Sequence, residues 1–270
     1  MPDPSKPLWL NKERELSIYV ATPVHSDVSI HYTQSMLEFQ KFCIKKGIKV
    51  VFEMIKSSLV TQGRNLCVAS FLQSNMSHML FVDSDIAFSP DSIWKMLETD
   101  KDVISIPYPL KDIKFDRLIQ KILADEVTTA KQAHVNCNTY PLRLEDHEAI
   151  EIEDNGIIKV THAPTGCMLI KRKVFDTLIA EYPDMEIHQD SIIDGKLQRK
   201  PYLYNFFDTY YDQENKRFLG EDFAFCRLWR NVGGQCYCYI MDYITHVGEF
   251  QYTGRLWDEM KPTSVDSTKE

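Results

Sequence analysis

A chain of 270 residues suits one large domain or two small ones, and an apolar share of 44% with 11% aromatics supports a packed core. The net charge of −8 argues against a nucleic-acid binder, which presents a basic face; Lys171-Arg172-Lys173 is a short local exception. The seven cysteines (Cys43, Cys67, Cys137, Cys167, Cys226, Cys236 and Cys238) are odd in number, scattered and without a CxxC pair, which argues against a disulfide framework or a zinc ribbon.

Residues 1–15 are Pro-rich and then charged, and read as a lead-in. No apolar segment follows Met1 and no apolar run reaches the length of a membrane span, so the expectation is a soluble, cytoplasmic protein with no membrane span. The first strand is expected over Leu16 to Ala21 and ends at Thr22-Pro23-Val24-His25, because proline has no N–H for the ladder. Tyr32 to Lys46 carries Met36, Phe39, Phe42 and Cys43 at helical spacing, and Gly47 suits a helix C-cap. Lys49 to Met54 is a second strand. Gly63-Arg64-Asn65 then opens a helix bearing Leu66, Ala69, Phe71 and Leu72. An arginine at a helix start is placed to meet an anion, or to make a structural salt bridge.

The third strand, Met79-Leu80-Phe81-Val82, runs into Asp83-Ser84-Asp85. An apolar run between turn signals reads as a buried strand of a parallel sheet, and in open α/β sheets the chemistry sits at the carboxyl ends of such strands. Two nearby ionised carboxylates repel and call for a cation; hard oxygen ligands favour magnesium, calcium or manganese. The plainer alternative is that Asp83 and Asp85 cap the turn before a helix from Pro90 to Leu97. Val103 to Tyr108 is a fourth strand, closed by Pro107 and Pro109. Strand and helix alternate throughout this half, which predicts parallel α/β winding. Neither GxGxxG nor GxxxxGK[ST] occurs.

Beyond residue 110 the pattern changes. A helix is expected over Ile113 to Ala130, a short strand at Leu142-Arg143-Leu144, and strands at Ile157 to Val160 and Cys167 to Ile170 on either side of an Ala163-Pro164-Thr165-Gly166 turn. A helix covers Lys171 to Glu181. Residues 183–218 are long, irregular and aromatic, with Tyr202, Tyr204, Phe206, Phe207, Tyr210 and Tyr211 available for sugar stacking or for the core. Gly220-Glu221-Asp222 opens another helix, where the carboxylates either cap the dipole or hold a general base. Gln235 to Met241 is the last strand, with Cys236 and Cys238 on one face and His246 just past its end. A histidine joining two aspartates would make an N,O ligand set that suits manganese.

Taken together, these segments resemble GT-A-fold glycosyltransferases: Thr22-Pro23 after the first strand, Arg64-Asn65 before the metal strand, Asp83-Ser84-Asp85 as a DxD motif, Thr165-Gly166, Gly220-Glu221-Asp222 and a late His246 with Gly248. The compact form is similar to small stand-alone transferases of bacteria, phages and large DNA viruses. The resemblance implies an α/β, GT-A type single domain with a Rossmann-like, mostly parallel central sheet, helices on both faces and a smaller acceptor-side sheet. It would span 16–262, with a nucleotide-sugar-binding half at 16–110, an acceptor and catalytic half at 111–262, and a loose tail at 263–270.

It further implies a divalent ion, Mn2+ or Mg2+, held by Asp83, Asp85 and His246, and a UDP-sugar donor contacted by Thr22, Pro23, His25, Arg64, Asp83, Ser84, Thr165 and Gly166. Asp222 would be the catalytic base of an inverting transfer, with Glu221 in reserve. The acceptor would be a carbohydrate, protein or small molecule, with homo-oligomerisation left open and no nucleic acid involved. A retaining course stays open as well. A sugar-phosphate nucleotidyltransferase is the competing class, but it would carry a Gly-rich basic loop after the first strand, and Thr22-Pro23-Val24-His25-Ser26-Asp27 has neither Gly nor Lys. An aspartate-nucleophile phosphohydrolase would carry its DxD on the first strand. A non-catalytic sugar-binding module is the remaining alternative.

Overall fold

The structure, a computed structural model, describes residues 15–145, 150–193, 196–213 and 216–250. The expected tail at 263–270, and all but the last residue of the lead-in, lie outside these. In chain order the elements are β1 (Ser17–Val24), α1 (Ile30–Lys46), β2 (Lys49–Lys56), α2 (Val60–Gln73), β3 (His78–Val82), β4 (Ile86–Ala87), α3 (Pro90–Glu98) and β5 (Val103–Ser105). Then come α4 (Phe115–Leu123), α5 (Ala130–Asn136), β6 (Arg143–Leu144), β7 (Ile157–His162), β8 (Cys167–Lys171) and α6 (Arg172–Glu181). A 3-10 turn precedes β9 (Asp190–Ile193), β10 (Lys196–Arg199), β11 (Tyr210–Asp212) and β12 (Arg217–Leu219); α7 (Glu221–Asn231), β13 (Cys236–Tyr239) and β14 (Thr245–His246) are the last elements of the described residues.

The central sheet has the order β2-β1-β3-β8-β5-β13-β7-β6. Strands β2, β1, β3, β5, β13 and β6 run one way, while β8 and β7 run against their neighbours. This is the mostly parallel, layered α/β architecture that the sequence implied. Alternation along β1 splits the core between the two faces of the sheet. Tyr19 and Ala21 join Phe71 of α2, Phe175 of α6 and Phe225 of α7 on one face; Ile18 and Val20 join Tyr32 and Phe39 of α1 and Ile93 of α3 on the other. All seven cysteines are buried and reduced, with Cys236 and Cys238 on the same face of β13. No helix of the described residues is long and apolar enough to cross a membrane.

Several local expectations are corrected. β1 does not stop at Pro23: it continues to Val24, paired with Lys56 of β2. Val24 O accepts from Ser57 N, so the alternate residue Pro23 turns its nitrogen toward the β3 side, where pairing has already ended at Ala21. β5 is shorter than expected, because Pro107 and Pro109 supply no N–H and Ile106 N makes the last ladder-like bond, to Cys167 O. The helix expected over 113–130 is two helices, α4 and α5, separated where Asp125 takes a left-handed φ of 58°. Residues 183–218 are not wholly irregular: β9 pairs with β10 and β11 with β12. Charged residues in these short strands remove the apolar alternation that would have marked them. Phe206 and Phe207 are core residues, whereas Tyr210 and Tyr211 are exposed.

Arg172 locks α6 to the end of α2. Its buried guanidinium donates to the carbonyls of Phe71, Leu72, Ser74 and Met76 at 2.6–3.3 Å, in the last turn of α2 and the segment just past it. Its positive charge also suits the negative end of the helix dipole. Arg172→Leu strips several buried carbonyls of a charged donor and is expected to cost about 3 kcal/mol or more of stability, read as a fall in the urea midpoint.

Candidate functional site

The site forms at the carboxyl ends of β1, β3 and β5, where the chain turns out of the sheet. Asp83 directly follows β3, and its N–H donates to Gly166 O at 3.0 Å, so the Thr165-Gly166 turn is tied to the aspartate loop. Three residues on, β4 pairs antiparallel with β14, setting His246 opposite Ile86. His246 therefore lies in a short strand of its own rather than in a loop past β13. Val247 N donates to Asp85 O at 2.8 Å, which clamps the late segment onto the second aspartate.

Arg64 joins the two halves of the chain. It lies one turn inside α2 rather than at the helix start, because the helix begins at Val60 and passes through Gly63. A Cβ at Gly63 would stand 3.2 Å from Pro23 Cβ and 3.3 Å from Ser57 Cβ, so glycine lets α2 approach the end of β1. The Arg64 side chain is 3% exposed; Nη2 lies 3.0 Å from Asp83 Oδ1, and Nε donates to Glu221 Oε1 at 3.0 Å. Burial would lower its pKa, but the charges of Asp83 and then Glu221 outweigh it and keep the guanidinium protonated. Nη1 is buried with no hydrogen-bond partner, as are Thr165 Oγ1 and Asp83 Oδ1, the last within ion-pair distance of Arg64 but poorly aligned for a bond. Such orphaned polar atoms around one ion pair mark a place built to receive polar groups.

Glu221 and Asp222 occupy the first turn of α7, after Gly220. Phe223 N donates to Asp222 Oδ1 at 2.8 Å. Burial, and then the neighbouring Glu221 charge, push the Asp222 carboxyl up to about 6, against the opposing pull of the Phe223 N–H and of Arg64. Tyr108, past the end of β5, completes this side. Its hydroxyl is raised by burial and by the charges of Asp83, Asp222 and Glu221. Its ring lies over Gly166, where a Cβ would come within 2.4 Å of Cε1, and edge-on to the His246 ring at 5.0 Å between centroids.

The second aspartate has different partners. Asp85 Oδ2 accepts from Lys111 Nζ at 2.5 Å and lies 3.4 Å from His246 Nε2. Burial opposes the charge on Asp85, but the bonds to His246 and Lys111 prevail and lower its pKa to about 2. His246 Nδ1 is 2.8 Å from Pro109 O, an acceptor only, so Nδ1 carries a proton. Among the described residues no three His, Cys, Asp or Glu side chains converge closely enough to hold a metal by themselves. Beside Lys111 and His246 opens a cleft of about 890 Å³, walled by Pro109, Leu110, Tyr140, Met241 and Tyr243.

The structure thus gathers Arg64, Asp83, Glu221 and Asp222 around Tyr108, and joins Asp85 to His246. Thr22 is buried, with its hydroxyl 2.7 Å from that of Tyr32, so of Thr22, Pro23 and His25, all expected to contact the donor, only Pro23 and His25 reach the surface. Ser84 serves the fold through its carbonyl, which accepts from Ser29 N. Tyr108 and Lys111 were missed in the sequence. The strand-end rule could have found Tyr108, which closes the fourth apolar strand; Lys111 carries no local signal.

No protein-family model matches the chain, and no curated protein matches it. Among solved structures it is similar to A197 from STIV, at 14% identity and a TM-score of 0.42 over 89% of this chain and 98% of that one. A glycosyltransferase involved in the glycosylation of the major capsid of PBCV-1 overlaps at 10% identity and a TM-score of 0.30, over 62% of this chain and 68% of that one. A 4-diphosphocytidyl-2C-methyl-D-erythritol synthase from Anaerococcus prevotii DSM 20548 overlaps at 9% identity and a TM-score of 0.30, over 64% and 80%. All three likenesses are low in identity and TM-score, and the functional reading below rests on the site.

A carboxyl held near pH 6 has a consequence for stability. The folded chain keeps a proton on Asp222 that the unfolded chain releases near 3.8, so folding is opposed progressively as pH rises from about 4 through 6. Asp222→Asn is expected to raise the denaturation midpoint at pH 8, with the gain shrinking toward zero by pH 4; a pH-independent difference between the two proteins would contradict the assignment.

Proposed function

We propose that the chain is a glycosyltransferase that moves a hexose or N-acetylhexosamine from a UDP-sugar to an acceptor hydroxyl, with inversion at the anomeric carbon. The observation that carries this reading is the pairing, in one site, of a carboxyl tuned to about 6 with a strand-end aspartate pair, Asp222 being joined to Asp83 through Glu221 and Arg64. A base poised near the working pH is what deprotonation of a sugar hydroxyl needs. Asp222 takes the proton of the acceptor O–H as that oxygen attacks the anomeric carbon, and the bond to the diphosphate breaks with its electron pair. Arg64 keeps Glu221 and Asp83 paired, and its free Nη1 is available to a phosphate or sugar oxygen. Tyr108 walls the site between Gly166 and His246.

The residues present fit a divalent ion, Mn2+ or Mg2+. Asp85 offers a hard oxygen, and the Nδ1–H bond to Pro109 O leaves Nε2 as the ring nitrogen facing the same place, the atom that would coordinate an ion once it carries no proton. Two protein donors suffice where substrate phosphates supply the rest, and the unsatisfied Asp83 Oδ1 is a third candidate. When bound, such an ion would neutralise charge developing on the departing diphosphate. The absence of Gly and Lys from the loop after β1 weighs against a nucleotidyltransferase holding a triphosphate there.

The protein with Mn2+ and a panel of nucleotide-sugars is expected to release a nucleoside diphosphate, measured by a coupled assay. Asp85→Asn should lose metal-dependent donor binding. Asp222→Asn should keep donor binding and lose transfer by roughly a hundredfold or more. In the wild type, transfer should fall as pH drops below about 6, because Asp222 becomes protonated. Neither binding nor turnover with any donor overturns the reading; pyrophosphate release from a nucleoside triphosphate and a sugar phosphate would replace it with the nucleotidyltransferase class.

A further inference from the structure

We propose that Lys111 is the resident cation of the Asp85–His246 pair, and that a divalent ion entering the site has to displace it. The proposal rests on the nucleotide-sugar reading above and concerns how the same site is filled before substrate arrives. Lys111 Nζ and His246 Nε2 both face one oxygen, Asp85 Oδ2, at 2.5 and 3.4 Å. The ammonium makes the shorter contact, and His246 Nδ1 is taken up by Pro109 O, so Lys111 is the cation seated directly on Asp85 Oδ2.

The lysine is seated rather than incidental. A Cβ on Gly248 would stand 2.6 Å from Lys111 Cδ and 3.1 Å from both Cγ and Cε, so the aliphatic stem runs over a surface that only glycine leaves open. Gly248 is itself fixed against the site, because Val247 N bonds Asp85 O and His246 pairs with Ile86. Lys111 and an ion on Asp85 Oδ2 need the same lone pairs and carry the same sign of charge, so they exclude one another. The Lys111 side chain is 42% exposed. A pair that open to water is held weakly, so the lysine can leave when an ion arrives.

The experiment titrates the full chain with Mn2+ alone, without nucleotide, and follows free Mn2+ by electron paramagnetic resonance. Lys111→Met is expected to bind Mn2+ at least about threefold tighter than the wild type, from removal of a weak competing pair and a like charge. Adding Asp85→Asn should abolish the gain. Gly248→Ala, which leaves the lysine in the chain but crowds its stem, should tighten binding in the same direction and serves if Lys111→Met does not fold. Wild-type binding that is unchanged or weakened in both variants overturns the role of Lys111 and leaves the transferase reading standing. No Mn2+ binding by any of the proteins, with or without UDP, overturns both this proposal and the metal part of that reading, while the donor panel still judges transfer itself.

Discussion

The architecture of the site depends on one buried cation. Arg64 comes from the first half of the chain and holds a carboxylate from each half, Asp83 after the third strand and Glu221 at the start of α7. A guanidinium at 3% exposure is tolerable only while its counter-charges stay in place. The converse also holds: two carboxylates brought together at the mouth of the sheet would repel each other without it. The ion pair thus does for the site what the apolar core does for the sheet, by making the arrangement of separate elements mutually dependent. Asn65, the next residue, extends the tie by bonding both the N–H and the carbonyl of Phe207.

Around that pair the chain accepts local costs. Asp222 is kept in surroundings that favour its neutral form, beside another acid. Thr165 Oγ1 is buried without a partner. Such features lower stability where they sit, and are compensated elsewhere by closely bonded joints such as Arg172 at the end of α2. These costs gather at the ends of β3 and β5 and at the start of α7, as stability is commonly given up where function needs a strained or polar site.

The general form of the molecule could be read from the order of apolar runs, because buried strands and amphipathic helices write their periods into the sequence. The aspartate loop, the Glu221-Asp222 helix start and His246 were legible for a related reason: each is a polar group at the end of an element, where side chains of a parallel sheet meet. What could not be read was pairing. Nothing local says that Arg64 would be claimed by two carboxylates, or that Asp83 and Asp85 would take separate partners despite standing two residues apart. Gly63 looked like a helix boundary and is instead a contact point inside the helix. Pro23 looked like a strand end, but its nitrogen lies on the side where no neighbour remains. These are facts of tertiary register, which a single segment does not contain.

The seven thiols are distributed across α1, α2, β8, α7, β13 and the turn after α5, and all are buried. Burial pushes Cys43 up to about 11 and Cys67 and Cys238 to about 12, so in the closed fold these three are neither accessible nor ionised. An alkylating reagent can therefore reach them only when the element carrying them opens. The native chain consequently contains its own set of reporters: the labelling rate of each cysteine measures the opening of one part of the fold, and a ligand that bridges the two halves would slow Cys67 and Cys226 together.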